Sequence, residues 1–171
     1  MTDSASVKIR YVDASALIKL VIDEPDGLLI RDFFNRNTNF CVTSLCLAEA
    51  LGRIKGLWKK GKKGGKRLTT DEYFLATRGL IIDAWGGRLA VDDLGLLDPK
   101  VHGDVEQMAR RYHLDLSDAL QLLTIKRGRY SVFVGDSASV LITADGPLAT
   151  AATAEGIRAW NCIVGPAPSW A

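Results

Sequence analysis

The sequence is poor in cysteine and histidine, and it lacks the motifs that arrange them for chemistry. Its 171 residues include three cysteines and two histidines. An odd number of cysteines without a CxxC spacing predicts reduced thiols packed in the core, not a disulfide framework. Neither His102 nor His113 stands in an HExxH or paired Cys/His pattern. A zinc site therefore has no ligand set in this sequence.

Long apolar runs and a secretory leader pattern are also missing. The stretch from Ser15 to Ile22 is interrupted by Lys19 and ends at Asp23, well short of the roughly 20 residues that span a bilayer. The first residues, MTDSASVKIR, lack a basic segment followed by an apolar run. We therefore expect a cytoplasmic protein without a membrane anchor. Because 47% of the residues are hydrophobic, we expect one domain over residues 1–171 with a core of its own.

Two further enzyme classes are excluded by incomplete motifs. No GxSxG elbow is present, so a serine hydrolase has no nucleophile in its usual setting. Gly56, Gly61 and Lys62 nearly form the phosphate-binding GxxxxGK[ST] loop, but Lys63 replaces the hydroxyl residue. The stretch also follows a helical pattern, whereas a phosphate-binding loop follows a strand. Nucleotide hydrolysis by that route is excluded.

Charge is unevenly distributed along the chain. The net charge is only +2, yet residues 53–67 (RIKGLWKKGKKGGKR) contain eight basic residues and no acidic one, leaving 14 basic against 20 acidic elsewhere. A basic patch attracts a phosphate backbone, and an acidic remainder can hold cations. We predict a basic loop at about 58–68 and an irregular tail from 165. The alternative interpretation is a solvated Gly-containing loop whose lysines serve solubility.

Apolar runs and helical stripes alternate along the chain. An apolar run ends at Asp13, and a helix follows, for which Ser15 is the expected cap. The next predicted elements are a helix over 25–36 with Leu28, Leu29, Phe33 and Phe34 inward, a strand over 40–43, and a helix capped by Thr43 or Ser44. A helix capped by Thr70 follows, with Phe74, Leu80 and Ile81 inward, and it ends at about 84. The remaining predicted elements are a strand over 88–91, a helix over about 98–112, a helix capped by Ser117 and ending before Gly128, a strand over 140–143, a helix from Pro147 to 155, and a strand over 157–160. Such alternation predicts a parallel sheet between helices.

Two acidic residues follow predicted strands. Asp13 and Asp145 each come after an apolar strand and before a helix, and each has a hydroxyl residue two positions away, Ser15 and Thr143. Open α/β sheets bind ligands at the carboxyl ends of their strands, near a topological switch point. A single acidic residue in such a place is usually a turn or cap residue. Two similar placements together favour a functional site.

Four motifs follow one another along the chain: YVDASALIKL, SLCLAEALGRI, LDLSDALQLL and LITADGPLATAA. In these motifs and in their order, the sequence resembles the PIN-domain ribonuclease family, and in particular its VapC-like toxin branch. The resemblance spans residues 7–161. It implies a three-layer α/β/α sandwich with a central, mostly parallel sheet, and a homodimer. It also implies cleavage of RNA with Mg²⁺ or Mn²⁺. Motif by motif, the catalytic and metal-binding acids fall on Asp13, Glu49, Asp118 and Asp145.

The chemistry of such a quartet follows from its charge. Four carboxylates in one cleft repel one another unless a cation is bound. Magnesium prefers oxygen ligands and keeps several of its waters, which supplies a nucleophile without a covalent intermediate. Ser15 and Thr143 are expected to orient these acids or the waters of the metal, and Asp115 is expected in the same supporting shell. Asp92, Asp93 and Asp136 match no motif and are interpreted as turn residues.

Partners and alternative functions remain open at this level. The resemblance implies an RNA substrate and an antitoxin protein that blocks the acidic cleft. Trp58 with Lys59, Lys60, Lys62 and Lys63 combines base stacking with phosphate attraction, although Trp58 equally completes a buried helical stripe. The alternatives are a PIN-domain RNA-processing nuclease that is not a toxin, a catalytically silent RNA-binding or assembly module, and a phosphatase. A phosphatase would usually have a second aspartate two residues after the first, where this chain has Ser15.

Overall fold

Five short parallel strands form one sheet. The computed structural model describes residues 7–61 and 67–171. The strands are β1 (Arg10–Val12), β2 (Phe40–Val42), β3 (Leu89–Val91), β4 (Val140–Thr143) and β5 (Arg158–Asn161). The helices are α1 (Ala14–Val21), α2 (Leu28–Arg36), α3 (Ser44–Lys60), α4 (Thr70–Trp85), α5 (Pro99–Tyr112), α6 (Leu116–Arg127) and α7 (Gly146–Ala154), with short 3₁₀ turns at Pro25–Gly27 and Gly135–Ser137.

The strand order places the first and fourth strands side by side at the centre. The order is β3-β2-β1-β4-β5, and all four pairings are parallel. The chain builds outward from β1 to β3 and then returns to the other side of β1. A topological switch point therefore lies between β1 and β4, where Val12 pairs with Ile142. The residues that follow these two strands open into the same crevice.

Two apolar clusters cover the two faces of the sheet. Side chains alternate along the central strand, so Val12 and Tyr11 lie in different clusters. The Val12 cluster includes residues of α1, α2, α3 and α4, and the Tyr11 cluster includes residues of α5, α6 and α7. The predicted three-layer α/β/α sandwich is confirmed. No helix in the described ranges is long and apolar enough to cross a membrane.

Three predicted helix caps were displaced by one or two residues. Asp13, not Ser15, caps α1 by accepting a hydrogen bond from the Ala16 amide. Asp115, not Ser117, caps α6, and Thr69, not Thr70, caps α4. The prediction at Thr43 is confirmed, since its side chain accepts from the Cys46 amide at the start of α3. Any short polar side chain next to a helix start can serve as a cap, so sequence alone does not choose among neighbours.

Two predicted inward faces were partly wrong. On α2, Phe34 is buried and Phe33 packs against the Val12 cluster, as predicted, but Leu28 and Leu29 are 63% and 43% exposed and Ile30 is buried in their place. On α4, Leu80 is buried as predicted, whereas Phe74 and Ile81 are 59% and 45% exposed and Ala76 is buried. Both helices contain apolar residues on more than one face, so the apolar pattern does not set their rotation. A small residue such as Ala76 lets α4 pack closely against its neighbours, and the pattern of large apolar residues in the sequence does not predict this contact.

The start of α4 provides a test of local stability. Thr69 accepts from the Glu72 amide at 3.2 Å, and the Glu72 carboxylate accepts from the Thr69 amide at 2.6 Å, which together form a capping box. Replacing Thr69 by Ala is expected to lower the free energy of unfolding by about 1 kcal/mol, measured by urea denaturation. The matched control is Thr70→Ala, which removes a hydroxyl from the first helical residue. Equal losses in the two variants would contradict the cap assignment.

The two segments predicted to be irregular differ from each other. Helix α3 continues to Lys60 and so includes the first three residues of the predicted basic loop. The tail from 165 is irregular, as predicted, but it packs onto the sheet layer. Trp170 lies against the Val12 cluster, the Arg10 guanidinium donates to the Ala171 carbonyl at 3.2 Å, and the Trp160 indole donates to Gly165 at 3.0 Å.

Candidate active site

The four predicted acids come from four different elements near the switch point. Asp13 follows β1, Asp145 follows β4 after one intervening residue, Glu49 lies on α3 and Asp118 lies in the first turn of α6. Asp13 and Asp145 are also the N-caps of the helices that follow them. Parallel strands end at one edge of the sheet, and the helices after them begin there. The fold itself therefore gathers side chains that are up to 132 positions apart in sequence, from Asp13 to Asp145.

Asp13 is the most constrained of these side chains. It is 2% exposed, and its carboxylate accepts from the Thr143 hydroxyl at 2.6 Å, from the Ser15 hydroxyl at 2.8 Å and from the Ala16 amide at 2.8 Å. Burial, with a smaller contribution from the charge of Asp145, raises the pKa of Asp13 to about 6 against the opposing effect of these three hydrogen bonds. The carboxylate is thus fixed in direction while its charge is poorly solvated.

Ser15 and Thr143 connect Asp13 to the end of the neighbouring strand. The Thr143 hydroxyl, while donating to Asp13, accepts from the Asp145 amide at 2.8 Å, and the Ser15 hydroxyl accepts from the Ala144 amide at 2.8 Å. Each hydroxyl therefore donates to Asp13 and accepts from one backbone amide of the β4 end. They hold the β4 end against Asp13, which is the positioning geometry that supporting residues provide.

Asp118 shows most directly that the acids share one electrostatic environment. Burial, followed by the carboxylates of Asp115, Asp13, Glu49 and Asp145 in that order, raises its pKa to about 7. Asp115 also accepts from the Asp118 amide at 2.9 Å, so it caps α6 and adds negative charge beside Asp118. All four predicted acids, together with Asp115, thus contribute to one region of negative potential.

Glu49 is held by one of its two oxygens. Its Oε1 forms an ion pair with Arg53 Nη2 at 2.9 Å, one helical turn away on α3. Its Oε2 is buried and has no hydrogen-bond partner among the residues that the structure describes. A buried acceptor without a donor is costly, because its lone pairs have lost their water. Within the cluster, a hydrogen-bond donor or a bound cation would therefore stabilise this oxygen most directly.

The ligand chemistry of the cluster fits a hydrated hard cation more closely than a metal enclosed by protein. All the candidate donors are carboxylate oxygens, which Mg²⁺ and Mn²⁺ prefer, and Glu49 Oε2 lacks a partner. In the described ranges, however, no group of three or more His, Cys, Asp or Glu side chains is arranged so that it could hold a metal ion. Magnesium commonly uses one or two carboxylates and retains waters. Asp13, Asp118, Asp145 and Glu49 therefore suit a loosely held, water-rich ion.

Two of the four lysines predicted to bind RNA lie within the described residues. Lys59 and Lys60 lie in the last turn of α3, whereas Lys62 and Lys63 lie outside the described residues. The Lys59 ammonium lies 3.8 Å from the centre of the Trp58 ring, and the Tyr73 ring stacks on Trp58 with 4.5 Å between the ring centres. The Trp58 ring thus contacts groups of the protein itself, which favours a structural role over base stacking.

Sequence reasoning missed three charged residues around the site. Arg53 was counted only as part of the basic stretch, although its spacing from Glu49 was a usable signal. Lys19 pairs with Glu24 and, at 2.7 Å, with Asp26. Asp92 was interpreted as a turn residue, but it is 8% exposed and accepts from the Tyr11 hydroxyl at 2.6 Å. No local pattern distinguishes Asp92 from a turn residue, because its partner is 81 positions away.

Comparison with known proteins supports the fold. No protein-family model matches the chain, and no curated protein matches it. Among solved structures, PAE2754 from Pyrobaculum aerophilum, an archaeal PIN-domain protein, matches with a TM-score of 0.56 and 18% sequence identity, over 90% of this chain and 91% of that chain. The fold is PIN-like. At this identity the likeness concerns architecture, and it agrees with the fold that the sequence resemblance implied.

A PIN-like fold gives the acidic cluster a structural context. In this chain the switch-point crevice of that fold is where Asp13 and Asp145 lie, and Asp118 is affected by both of their charges. The fold and the local electrostatics thus point to the same edge of the sheet.

Proposed function

We propose that this protein is an endoribonuclease that hydrolyses phosphodiester bonds of RNA with Mg²⁺ or Mn²⁺. The observation that carries the proposal is the position of Asp13 and Asp145 at the switch point of the sheet, where burial and neighbouring carboxylates also raise the pKa of Asp118. A cluster that disfavours its own negative charge is stabilised by a divalent cation. The donor set and the PIN-like fold favour the same chemistry.

Each residue of the cluster has a proposed role. A bound Mg²⁺ or Mn²⁺ would activate water and neutralise charge on the phosphodiester. Asp13, oriented by Thr143 and Ser15, and Asp145, beside it on the next strand end, are the principal cation ligands. Asp118 Oδ carries a proton in part of the molecules near pH 7 and releases it when positive charge arrives. Glu49 offers its unpartnered Oε2 to a ligand or its water.

Metal dependence is the direct test of this proposal. Purified protein is expected to cleave RNA with MgCl₂ or MnCl₂, to lose cleavage in EDTA and to regain it when the metal is restored in excess. Cleavage rates are measured on a labelled oligoribonucleotide by gel electrophoresis. Asp145→Asn, which retains a cap for the Leu148 amide, should be at least about tenfold slower. Cleavage that continues in EDTA at the same rate would contradict the proposed metal-dependent mechanism.

A catalytically silent RNA-binding module is the second candidate. It is favoured by one observation, that no group of three or more potential ligands in the described residues is arranged to hold a metal. The two candidates differ in the same assay. A silent module binds RNA and leaves it intact at every metal concentration, whereas the nuclease cleaves RNA when Mg²⁺ or Mn²⁺ is present.

The finer proposal is that the nuclease is the toxin of a type II toxin–antitoxin pair and acts as a homodimer. It rests on the resemblance of the four motifs to VapC-like toxins. Induced expression is then expected to arrest bacterial growth, and co-expression of a small protein encoded next to this gene should relieve the arrest. The Asp145→Asn variant is the control that separates RNA cleavage from general toxicity of expression. Equal arrest by both proteins would leave a nuclease without toxin function.

The four lysines near the end of α3 are proposed to contribute to phosphate binding. Replacing Lys59, Lys60, Lys62 and Lys63 by Gln should weaken RNA binding and flatten its salt dependence, because each phosphate contact releases counterions. The slope of log K against log salt should fall by up to about 2.8, at roughly 0.7 per lost contact with single-stranded RNA. Fluorescence anisotropy at several salt concentrations measures the slope. An unchanged slope would contradict the proposed phosphate contacts and would favour a role of these lysines in solubility.

A further inference from the structure

A groove next to the acidic cluster lies between α1 and α3. Its volume is about 650 Å³, and its walls include Ile18, Leu57 and Ile163. Ser15 and Asp145 line the same groove, so it is continuous with the proposed catalytic edge. Its size is within the range of about 300–1,000 Å³ that is usual for small-ligand sites.

The groove combines an apolar surface with cations on one helix. Arg53, Gly56, Leu57 and Lys60 of α3 all line it, and their spacing of three, one and three places them on one face of the helix. Lys60 is exposed in the last turn of α3, and the Arg53 side chain is 56% exposed beyond its ion pair with Glu49. Lys19 also lines the groove, but Glu24 and Asp26 pair with it. Among the described residues, the positive charge of the groove that is not held by Glu24 or Asp26 therefore comes from α3.

We propose, on the basis of the proposed ribonuclease function, that this groove binds the nucleotide next to the scissile phosphate. Its base lies against the aliphatic side chains of Leu57 and Ile163, and its phosphate lies between Arg53 and Lys60. Such a combination of apolar contact and cations is how proteins hold single-stranded nucleic acid. Trp58 does not supply the base platform, because Tyr73 and Lys59 occupy its ring.

The site predicts that RNA must be unpaired at this position. A base within a helix is stacked on both faces and paired at its edge, so it cannot enter a groove lined by Leu57 and Ile163. An unpaired base can leave the stack at little cost. The groove would therefore select loops and single strands by shape. No base-specific hydrogen bond is required for this selection.

Gly56 provides a way to fill the groove without disturbing the core. A Cβ added at Gly56 meets no heavy atom within 4 Å, and the same is true of Gly52, one turn earlier on α3. Gly56 lines the groove, whereas Gly52 does not. Both substitutions replace glycine by a better helix former. Gly56→Leu and Gly52→Leu are thus a matched pair, one blocking the groove and the other not.

Binding is measured in EDTA, so that it does not depend on cleavage, by the fluorescence anisotropy of a labelled single-stranded oligoribonucleotide. Gly56→Leu should raise Kd about tenfold, and Gly52→Leu should leave it within twofold of wild type. Lys60→Gln should lower the salt slope by about 0.7, whereas Lys55→Gln, an exposed lysine on α3 outside the groove, should not change it. A fully paired duplex should bind more weakly and be insensitive to Gly56→Leu.

The outcomes for the groove and for the nuclease are separable. If the wild-type protein cleaves RNA with Mg²⁺ but Gly56→Leu and Gly52→Leu bind RNA equally well, the groove proposal is overturned and the proposed function stands. A protein segment would then be the better occupant. If the wild-type protein neither binds nor cleaves RNA, the proposed function fails and the groove proposal falls with it.

Discussion

The Asp118→Asn variant is expected to lose about 100-fold in metal-dependent RNA cleavage and, without metal at pH 8, to be more stable than the wild-type protein. The two effects have one cause. Burial and neighbouring carboxylates raise the pKa of Asp118 to about 7, compared with about 3.9 for an unfolded Asp. The folded state thus disfavours the negative charge that the proposed chemistry requires, and Asn removes that charge.

The sign and size of the stability change follow from linkage. A carboxyl whose folded pKa is raised stabilises the protein below its unfolded pKa, and this contribution is lost as the pH rises through the folded pKa. For Asp118 the window is from about pH 4 to about pH 7. One pKa unit corresponds to about 1.4 kcal/mol; since Asp118 is only partly buried and solvent screens it, we expect a gain of about 1–2 kcal/mol at pH 8.

Chemical denaturation in EDTA at pH 8 and pH 5 measures this effect beside the cleavage assay. The difference between variant and wild type should shrink towards pH 5, where Asp118 is protonated in the folded protein. Asp98→Asn is the matched control, because Asp98 caps α5 through the Lys100 amide at 2.8 Å and Asn retains a cap. It should change neither activity nor stability. An Asp118→Asn variant that is fully active, or less stable at pH 8, would contradict the assignment.

Divalent metal should bind about 100-fold more tightly at pH 7.5 than at pH 5.5. The pKa of Asp13 is raised to about 6 by burial, and that of Asp118 to about 7 by burial and nearby carboxylates. A cation must displace the proton from each carboxylate that it uses. At pH 7.5 most molecules have both groups ionised, whereas at pH 5.5 roughly one in a hundred does. Affinity therefore rises as the pH passes through this window.

Titration calorimetry with MnCl₂ at several pH values measures this dependence. In the Asp118→Asn variant only Asp13 of these two carboxylates is left to titrate, and the change from pH 5.5 to pH 7.5 should fall to about fourfold. Asp98→Asn should retain the full dependence. An affinity that does not vary with pH would mean that neither carboxylate contacts the ion, and the cation site would have to be placed elsewhere.

Much of the architecture could be read from the chain alone. The alternation of apolar strands and helical stripes predicted the parallel sheet, and the residues after β1 and β4 identified Asp13 and Asp145 as edge residues. These predictions succeed because they depend on local periodicity and on a general rule for open α/β sheets. Glu49 and Asp118 lie on helices, and they were found through motif resemblance because no local rule marks them.

What the sequence determined by itself was the order and type of the elements, and it predicted the four acids of the candidate site. Tertiary structure alone decided the rotation of α2 and α4, the hydrogen bond between Tyr11 and buried Asp92, and the hydrogen bonds of Ser15 and Thr143 to Asp13. It also placed Arg53 and Lys60, two described cations of the basic stretch, along the groove beside Asp145. Periodicity and caps act over a few residues, whereas burial, pKa shifts and grooves depend on partners brought together from distant parts of the chain.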